Sequence, residues 1–411
     1  MTPTRSELLA KKKSADGRPA YRQGATRLPS TGKKPGSKAW HGARGTWPTT
    51  AEGQLVITQS MVSGFVECPR ETYYGIVLGL RPRLESKPLT RGTWVHALLE
   101  ARGQGKDWKK LHKELTAKAE AERFEEEIKG LAQECYNIVL SYDWLYEQKL
   151  HEHLKPIAVE LTVERPMFRG KVLYRGRIDI VWQDENGDIW LGDHKTHATL
   201  PDWRYRELAF QHYSYLWAVK RAPEYLALGI PQPKGFIYDY CRTSAIHTPT
   251  LTTKGKISRV LKPSGTTYPV FREWLIEQGM MTVIKGKDLL AIQDPAERVY
   301  VEEFLVELKH RDYSTEFRRD RLVFTPEQAE RQRKSFVASA RRLLLYKWDD
   351  PDCVERNLHA CSGFMCNYKD LTVADLMHGT SEIEQRTRYV TTRDPLDYYP
   401  NQTKKKVKAK K

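Results

Sequence analysis

The sequence has no apolar run of about 18 residues, the minimum for a membrane-spanning helix, and no apolar leader follows its first methionine. The expected setting is the cytoplasm of a bacterial or phage-infected cell, with no membrane partner. Cysteine is scarce, with six in 411 residues. Without an export signal, so few cysteines give no disulfide framework to a chain this long. A G-x-x-x-x-G-K-[ST] stretch is also missing, which excludes an intrinsic nucleotide-driven motor of that type.

Positive charge, by contrast, is in excess, and it is unevenly placed. The formal net charge is +16. Residues 1–50 hold eleven Lys or Arg against Glu7 and Asp16, and Lys404, Lys405, Lys406, Lys408, Lys410 and Lys411 add six more cations. The body between these arms is close to neutral. Basic arms suit a polyanion such as nucleic acid and bind it in a salt-sensitive way, although solubilising tails have the same composition.

Hydrophobic periodicity divides the chain. Residues 1–50 lack it and read as a disordered basic arm. Order is expected from LVITQSMVSGFVECPRETYYGIV, with Ser60 as a helix cap and Val62, Phe65 and Val66 facing a core. RGTWVHALLEARG has helical spacing, and a charged amphipathic helix or helix pair follows from about Trp108 to Gln148. The period then changes to two. IAVELTVER, KVLYRGRIDIVWQ and DIWLGDHKT read as strands, the last two joined through Asn186-Gly187, a hairpin signal. A helix over about 203–220 and a strand at 235–242 complete a core spanning 51–242. Residues 243–324 read as an insertion or helical lid, with helices near 271–290 and 295–309. A C-terminal helix from 325 leads into a cysteine-bearing clasp that ends at 372, and 373–411 forms an extension with a basic tail. The pattern is α/β, a central mixed sheet flanked by helices.

The segment GRIDIVWQDENGDIWLGDHKT concentrates costly groups within strands. Asp193 and Lys195 are two apart and share a strand face; Asp179 can lie beside them across the hairpin. Adjacent buried carboxylates repel each other, and a hard divalent cation relieves both repulsion and desolvation. Lys195 is then placed to orient an attacking water or stabilise phosphoryl charge. A solvated Asp179–Lys195 ion pair with Asp193 at a turn is the simpler alternative. Glu160, in AVELTV, is a further acidic candidate on a neighbouring strand.

These pieces, taken in order, resemble the RecB-like branch of the PD-(D/E)XK nuclease superfamily, the AddB/RecB-type or CRISPR-associated exonuclease domain in a phage-type standalone form. GTWVHALLE places His96, GRIDIV places Asp179, GDHKT supplies Asp193, His194 and Lys195, and QHYSY gives Gln211 and Tyr215. The resemblance covers roughly residues 57–240. It implies a restriction-endonuclease-like core in which His96, Asp179, Asp193 and the His194 backbone carbonyl bind Mg²⁺ or Mn²⁺. By the same resemblance Lys195 assists the nucleophilic water, and Gln211 and Tyr215 support the centre. The His194 side chain points to the opposite face of its strand and is a poor ligand for the same ion.

Related nucleases also hold a [4Fe-4S] cluster between one N-terminal and three C-terminal cysteines. Here CPRETYY and DCVERNLHACSGFMCNYKDL offer Cys68, Cys353, Cys361 and Cys366, but Thr372 stands where a final cysteine is usual. Zinc, or packed thiols with no cluster, are the alternatives. Cys135 and Cys241 read as buried thiols. The implied activity is a metal-dependent DNA exonuclease of recombination, repair or degradation. It would act on single-stranded DNA or a free end, with a separate helicase or recombination protein as possible partner. A structure-specific endonuclease and a catalytically inactive nucleic-acid-binding protein are the rivals.

Overall fold

The computed structural model describes residues 47–391, apart from residues 51, 84–85, 123–124, 153, 203–206, 358 and 361–365. Residues 1–46 of the arm expected over 1–50, the lysine tail and Cys361 lie outside the described residues, as does the first part of the helix expected from residue 203; Thr49, at the end of that arm, bridges Leu55. The chain enters through β1 (Leu55–Ile57) and α1 (Gln59–Glu67). The cap of α1 is Thr58, whose hydroxyl accepts from Met61 N; Ser60, the expected cap, is the second residue of the helix and bonds the Thr58 hydroxyl. Met61, Val62 and Phe65 face the core, whereas Val66 is half exposed, because it falls off that helical stripe.

A four-residue turn (Pro69–Thr72) and a π turn (Tyr73–Val77) lead to β2 (Leu80–Pro82) and then α2 (Lys87–Gly103). The expected long charged helix is a pair, α3 (Trp108–Glu122) and α4 (Glu125–Trp144), the second running on through a π turn at Leu145–Lys149. Then come the three strands β3 (Lys155–Met167), β4 (Val172–Gln183) and β5 (Ile189–His197), helix α5 (Phe210–Val219) and strand β6 (Gly235–Arg242).

Beyond β6 the structure departs from expectation in two places. Helix α6 (Tyr268–Glu277) ends early, and Met281–Ile284 (β7) pairs with Lys287–Leu290 (β8) as a hairpin. Gly279, Lys285 and Gly286 all take positive φ, which ends a helix and makes a tight turn. After α7 (Pro295–His310), the segment FRRDRL forms β9 (Phe317–Leu322), which returns to the main sheet beside β6. Its charges hid it from the strand pattern. Helix α8 (Pro326–Leu345) starts with a capping box of Thr325 and Gln328. Further on are α9 (Lys369–His378), α10 (Glu382–Arg388) and β10 (Tyr389–Thr391), the last paired with β2.

The main sheet is mixed, in the order β1-β4-β5-β6-β9, with β3 also on β4. One face packs against α1, α5 and α8 through Phe65, Tyr215 and Phe336; on the other, α2 and α4 enclose Val95, Leu98 and Ile138. The pairing along β4 creates the feature that matters most. β3 occupies one of its edges from Val172 to Gln183. The other edge is shared: β1 pairs in parallel with Val172–Tyr174, and β5 pairs antiparallel with Ile180–Gln183. Residues 175–179 lie between these two partners, so the sheet forks there.

The fork depends on a bare Gly192 at its root. A Cβ there would lie 2.1 Å from Trp182 Cζ3 and 2.9 Å from Ile180 Cγ2. Gly192→Ala should therefore destabilise the chain by about 1–3 kcal/mol through overpacking, read as a lower denaturation midpoint. Wild-type stability in that variant would mean that Trp182 repacks without cost.

Candidate active site

Asp179 and Asp193 are the first residues past the last β4–β5 pair, Ile180 with Gly192. The two carboxylates therefore face each other across the mouth of the fork. His194 N, left without a strand partner on this side, donates to Asp179 Oδ2 at 3.0 Å. The period of two puts Asp193 and Lys195 on one face of β5, and the Lys195 ammonium lies against Asp193 Oδ2. On α5, Gln211 Nε2 donates to the other Asp193 oxygen at 2.6 Å. From α2, His96 Nδ1 comes within 3.3 Å of Asp179 Oδ2.

Five of the six side chains singled out in the sequence thus converge: His96, Asp179, Asp193, Lys195 and Gln211. Tyr215 stands one turn behind Gln211, buried, with its ring against the backbone of β4; a Cβ on Gly176 would come within 2.8 Å of it. Its side chain is in hydrogen-bond reach of Gln211 and feels the charges of Asp193 and Asp179, while burial is the main cause of its raised pKa. The His194 side chain lies on the face of β5 opposite Asp193 and Lys195, with its ring edge-on to that of His96, centroids 6.3 Å apart.

Burial raises both carboxylates, and their different partners make them unequal. Burial would raise Asp179, but the His96 hydrogen bond and the charges of His96 and Lys195 outweigh it and hold the group well below the usual carboxylate range. Asp193 is pushed up, by burial and then by the Asp179 charge, against the pull of Lys195. For His96, burial acts to lower its pKa and the facing carboxylates raise it above the ordinary value. Two acids separated in this way by their surroundings mark a site built for charge, since an ordinary core avoids both groups.

Asp193 Oδ2 is buried with the Lys195 ammonium against it, and its other oxygen accepts from Gln211. Two carboxylates, an imidazole and the backbone carbonyl of His194 are donors of the kind a hard divalent cation takes. Among the described residues no three His, Cys, Asp or Glu side chains are drawn to one common point. The carboxylates are turned instead to Lys195 and His96.

Glu160 falls opposite Asp179 in the β3–β4 register. It takes φ +53°, a conformation costly for a residue with a Cβ, and pairs with Arg177 at 2.8 Å. Burial pushes its carboxyl up to about 7 against the pull of Arg177, with Asp179 and Glu100 adding to the rise. A folded-state pKa above the unfolded one means that the native chain holds this proton more tightly. Stability is therefore lost as pH rises from about 4.3 towards 7 and is not regained above it. Glu160→Gln removes that loss and should stabilise the protein at pH 8 by about 3–4 kcal/mol relative to its effect at pH 4. Denaturation at the two pH values checks it; an equal effect at both would remove the argument.

Cys135 and Cys241 are fully buried, as expected, and burial pushes the Cys135 thiol up to about 12. Cys68 is buried, whereas Cys353 is exposed and its Sγ donates to Asp350 Oδ2 at 3.0 Å. Cys366 packs beside Tyr74 and Tyr368. Arg70 is the group that ties this region together. Its Nε donates to the Tyr74 hydroxyl at 3.0 Å, Nη2 lies 2.5 Å from Asp375 Oδ2 and Nη1 donates to the Pro351 carbonyl. The described thiols do not gather into a ligand set; the contact seen between the N-terminal helices and the C-terminal segment is made by Arg70.

Comparison with protein families matches residues 56–371 to the PD-(D/E)XK nuclease superfamily. No curated protein matches the chain. Among solved structures, the one titled "Crystal structure of SSO0001" is 14% identical, with a TM-score of 0.20, and the alignment covers 62% of this chain and 76% of that one.

Proposed function

We propose that this chain, which belongs to the PD-(D/E)XK nuclease superfamily, is a RecB-like deoxyribonuclease dependent on Mg²⁺ or Mn²⁺ that digests DNA from a free end. Nucleic acid is the substrate class of the family; DNA, the end requirement and a preference for single strands are parts of the proposal. The observation that carries it is the fork, which places Asp179 and Asp193 face to face with Lys195 and Gln211 on one carboxylate and His96 on the other.

In this reading Asp179, Asp193, His96 and the His194 carbonyl hold the cation. When bound, it supplies positive charge to the scissile phosphate and acidifies water. The protein's own groups do the rest. Lys195, held beside Asp193, would present its ammonium to the incoming water and the phosphoryl oxygens. Gln211 keeps Asp193 from rotating, and the His194 N–H does the same for Asp179. Phosphodiester hydrolysis then leaves a 5′ phosphate and a 3′ hydroxyl, the outcome the RecB-like resemblance implies.

A [4Fe-4S] cluster on Cys68, Cys353, Cys361 and Cys366 rests on the resemblance alone, and iron analysis of anaerobically purified protein tests it. Cytoplasmic action beside a helicase or recombination protein likewise belongs to the proposal; among the described residues no helix is long and apolar enough to cross a membrane.

The test is cleavage of end-labelled linear DNA and covalently closed circular DNA by wild type and Asp179→Ala, with Mg²⁺, Mn²⁺ or EDTA. Loss of linear DNA alone, abolished by EDTA and by the substitution, is expected. Opening of the circle would make the enzyme an endonuclease. Binding without cleavage of either form would leave a nucleic-acid-binding protein on a nuclease fold.

A further inference from the structure

The face of β5 turned away from the fork carries a second set of charged groups that the reaction as proposed does not use. Strand register aligns three residues across three strands: His194 on β5 lies opposite Asp239 on β6, and Asp239 lies opposite Arg319 on β9. Their side chains meet. His194 Nδ1 is 3.3 Å from Asp239 Oδ2, and Arg319 Nε is 3.4 Å from Asp239 Oδ1. Asp239 is wholly buried and His194 nearly so. The row is anchored to α4 and the turn after it. The Tyr142 hydroxyl donates to Asp239 Oδ2, Arg319 Nη2 donates to the Tyr142 oxygen at 2.8 Å, and the guanidinium lies 3.5 Å from the centre of the Tyr146 ring. Glu152 stands 3.5 Å from Arg319 Nη1. Trp182 closes the other side, its ring edge-on to the imidazole.

Stability alone does not account for this arrangement. Buried charge rows are often matched or bettered by apolar side chains of the same volume, and the neighbouring positions on β6 are apolar. What distinguishes His194 is its peptide group. Its N–H is the donor to Asp179 Oδ2, and its carbonyl belongs to the proposed cation site. A ring held on one face of the strand fixes the rotation of a backbone unit that serves the other face.

We propose that the His194–Asp239–Arg319 row is a positioning device for the nuclease centre: it locks the His194 peptide so that its N–H holds Asp179 and its carbonyl faces the cation. This inference rests on the reading of the fork as that centre. None of the three side chains touches substrate. The return strand β9 thereby serves the reaction from behind the sheet, through Arg319.

The test compares His194→Phe, which keeps a planar ring between Trp182 and Tyr142, with Asp239→Asn, which keeps the shape of the acid, and with Asp193→Ala. Five quantities are measured: kcat and KM for DNA, Mn²⁺ affinity by electron paramagnetic resonance without DNA, amide hydrogen exchange in EDTA, and thermal midpoint. His194→Phe should lower kcat and weaken Mn²⁺ binding by about 10–100-fold each, leave KM for DNA unchanged, and speed exchange selectively at residues 192–196. Asp239→Asn should shift the same quantities in the same direction, and it carries the test if His194→Phe does not fold. A folded His194→Phe with wild-type kcat and Mn²⁺ affinity would overturn the proposal, as would a loss that only tracks the unfolded fraction with exchange raised throughout the sheet. If Asp193→Ala itself cleaves normally, the fork is not the centre and the underlying reading falls. If Asp193→Ala is inactive and His194→Phe is normal, only the role of the row falls.

Discussion

Asp193→Ala should reduce DNA cleavage by about a thousandfold or more while leaving the fold as stable as before. Removing one preorganised electrostatic group from a catalytic centre costs about 10²–10³ in rate, and Asp193 contributes more than one such group. It is a proposed ligand of the cation, it tethers Lys195, and it anchors Gln211. Stability should follow a different course. Asp193 is a buried carboxylate facing a second one, and both burial and that neighbour disfavour its charge. Losing it removes a repulsion as well as an ion pair. Lys195 is 24% exposed, enough for its ammonium to regain water. The expected outcome is thus an inactive protein with an unchanged or slightly raised thermal midpoint, in keeping with the strain that active sites retain. Salt-sensitive DNA binding should persist, because it draws on charge elsewhere in the chain. Full cleavage by a preparation free of contaminating nuclease would reject the proposed centre. A large drop in the midpoint would show instead that Asp193 is structural.

The residues that meet at the fork were legible for a simple reason: each stands where its own local period is unambiguous. Asp193 and Lys195 are two apart in a strand, Gln211 and Tyr215 four apart on a helix, and His96 lies within a regular amphipathic segment. Their convergence was inferred from the order of the motifs, and the fork itself was not visible. It arises because β1 and β5 divide one edge of β4, a matter of pairing between segments over a hundred residues apart. Long-range pairing also explains the miss at β9. FRRDRL offers no apolar alternation, since Arg319 is buried only by virtue of Asp239, Tyr142 and Tyr146. Asp239 did carry a signal, an acid in the otherwise apolar run GFIYDYC. The hairpin at 281–290 was read as helix because its apolar residues suit either period; Lys285-Gly286, both at positive φ, decides it.

Arg70→Met should show that the closure of the C-terminal segment on the N-terminal helices depends on charge. Arg70 is 3% exposed and reaches three partners whose positions in the sequence are far apart: Tyr74, Pro351 and Asp375. Methionine fills most of the space but leaves the Asp375 carboxylate without its cation and the Pro351 carbonyl without its donor. Breaking a buried pair from one side costs about 3–5 kcal/mol, so Arg70→Met should lower stability by about that much. The loss should be local at first. Residues 369–391 join the rest of the chain through this contact, the Tyr74–Tyr368–Tyr389 cluster and the short β2–β10 pair, so they should exchange amide hydrogens and admit protease before the main sheet does. Asp375→Asn separates the ion pair from the packing. If the two groups act as a unit, Arg70→Met combined with Asp375→Asn should cost little more than Arg70→Met alone, giving a coupling energy of about 1–3 kcal/mol. Cys68→Ser provides the contrast: one buried thiol exchanged for a hydroxyl should cost no more than about 1–2 kcal/mol if no cluster is present. Should Cys68→Ser release the segment while Arg70→Met leaves it closed, the thiols are the clasp and the arginine only packs beside it.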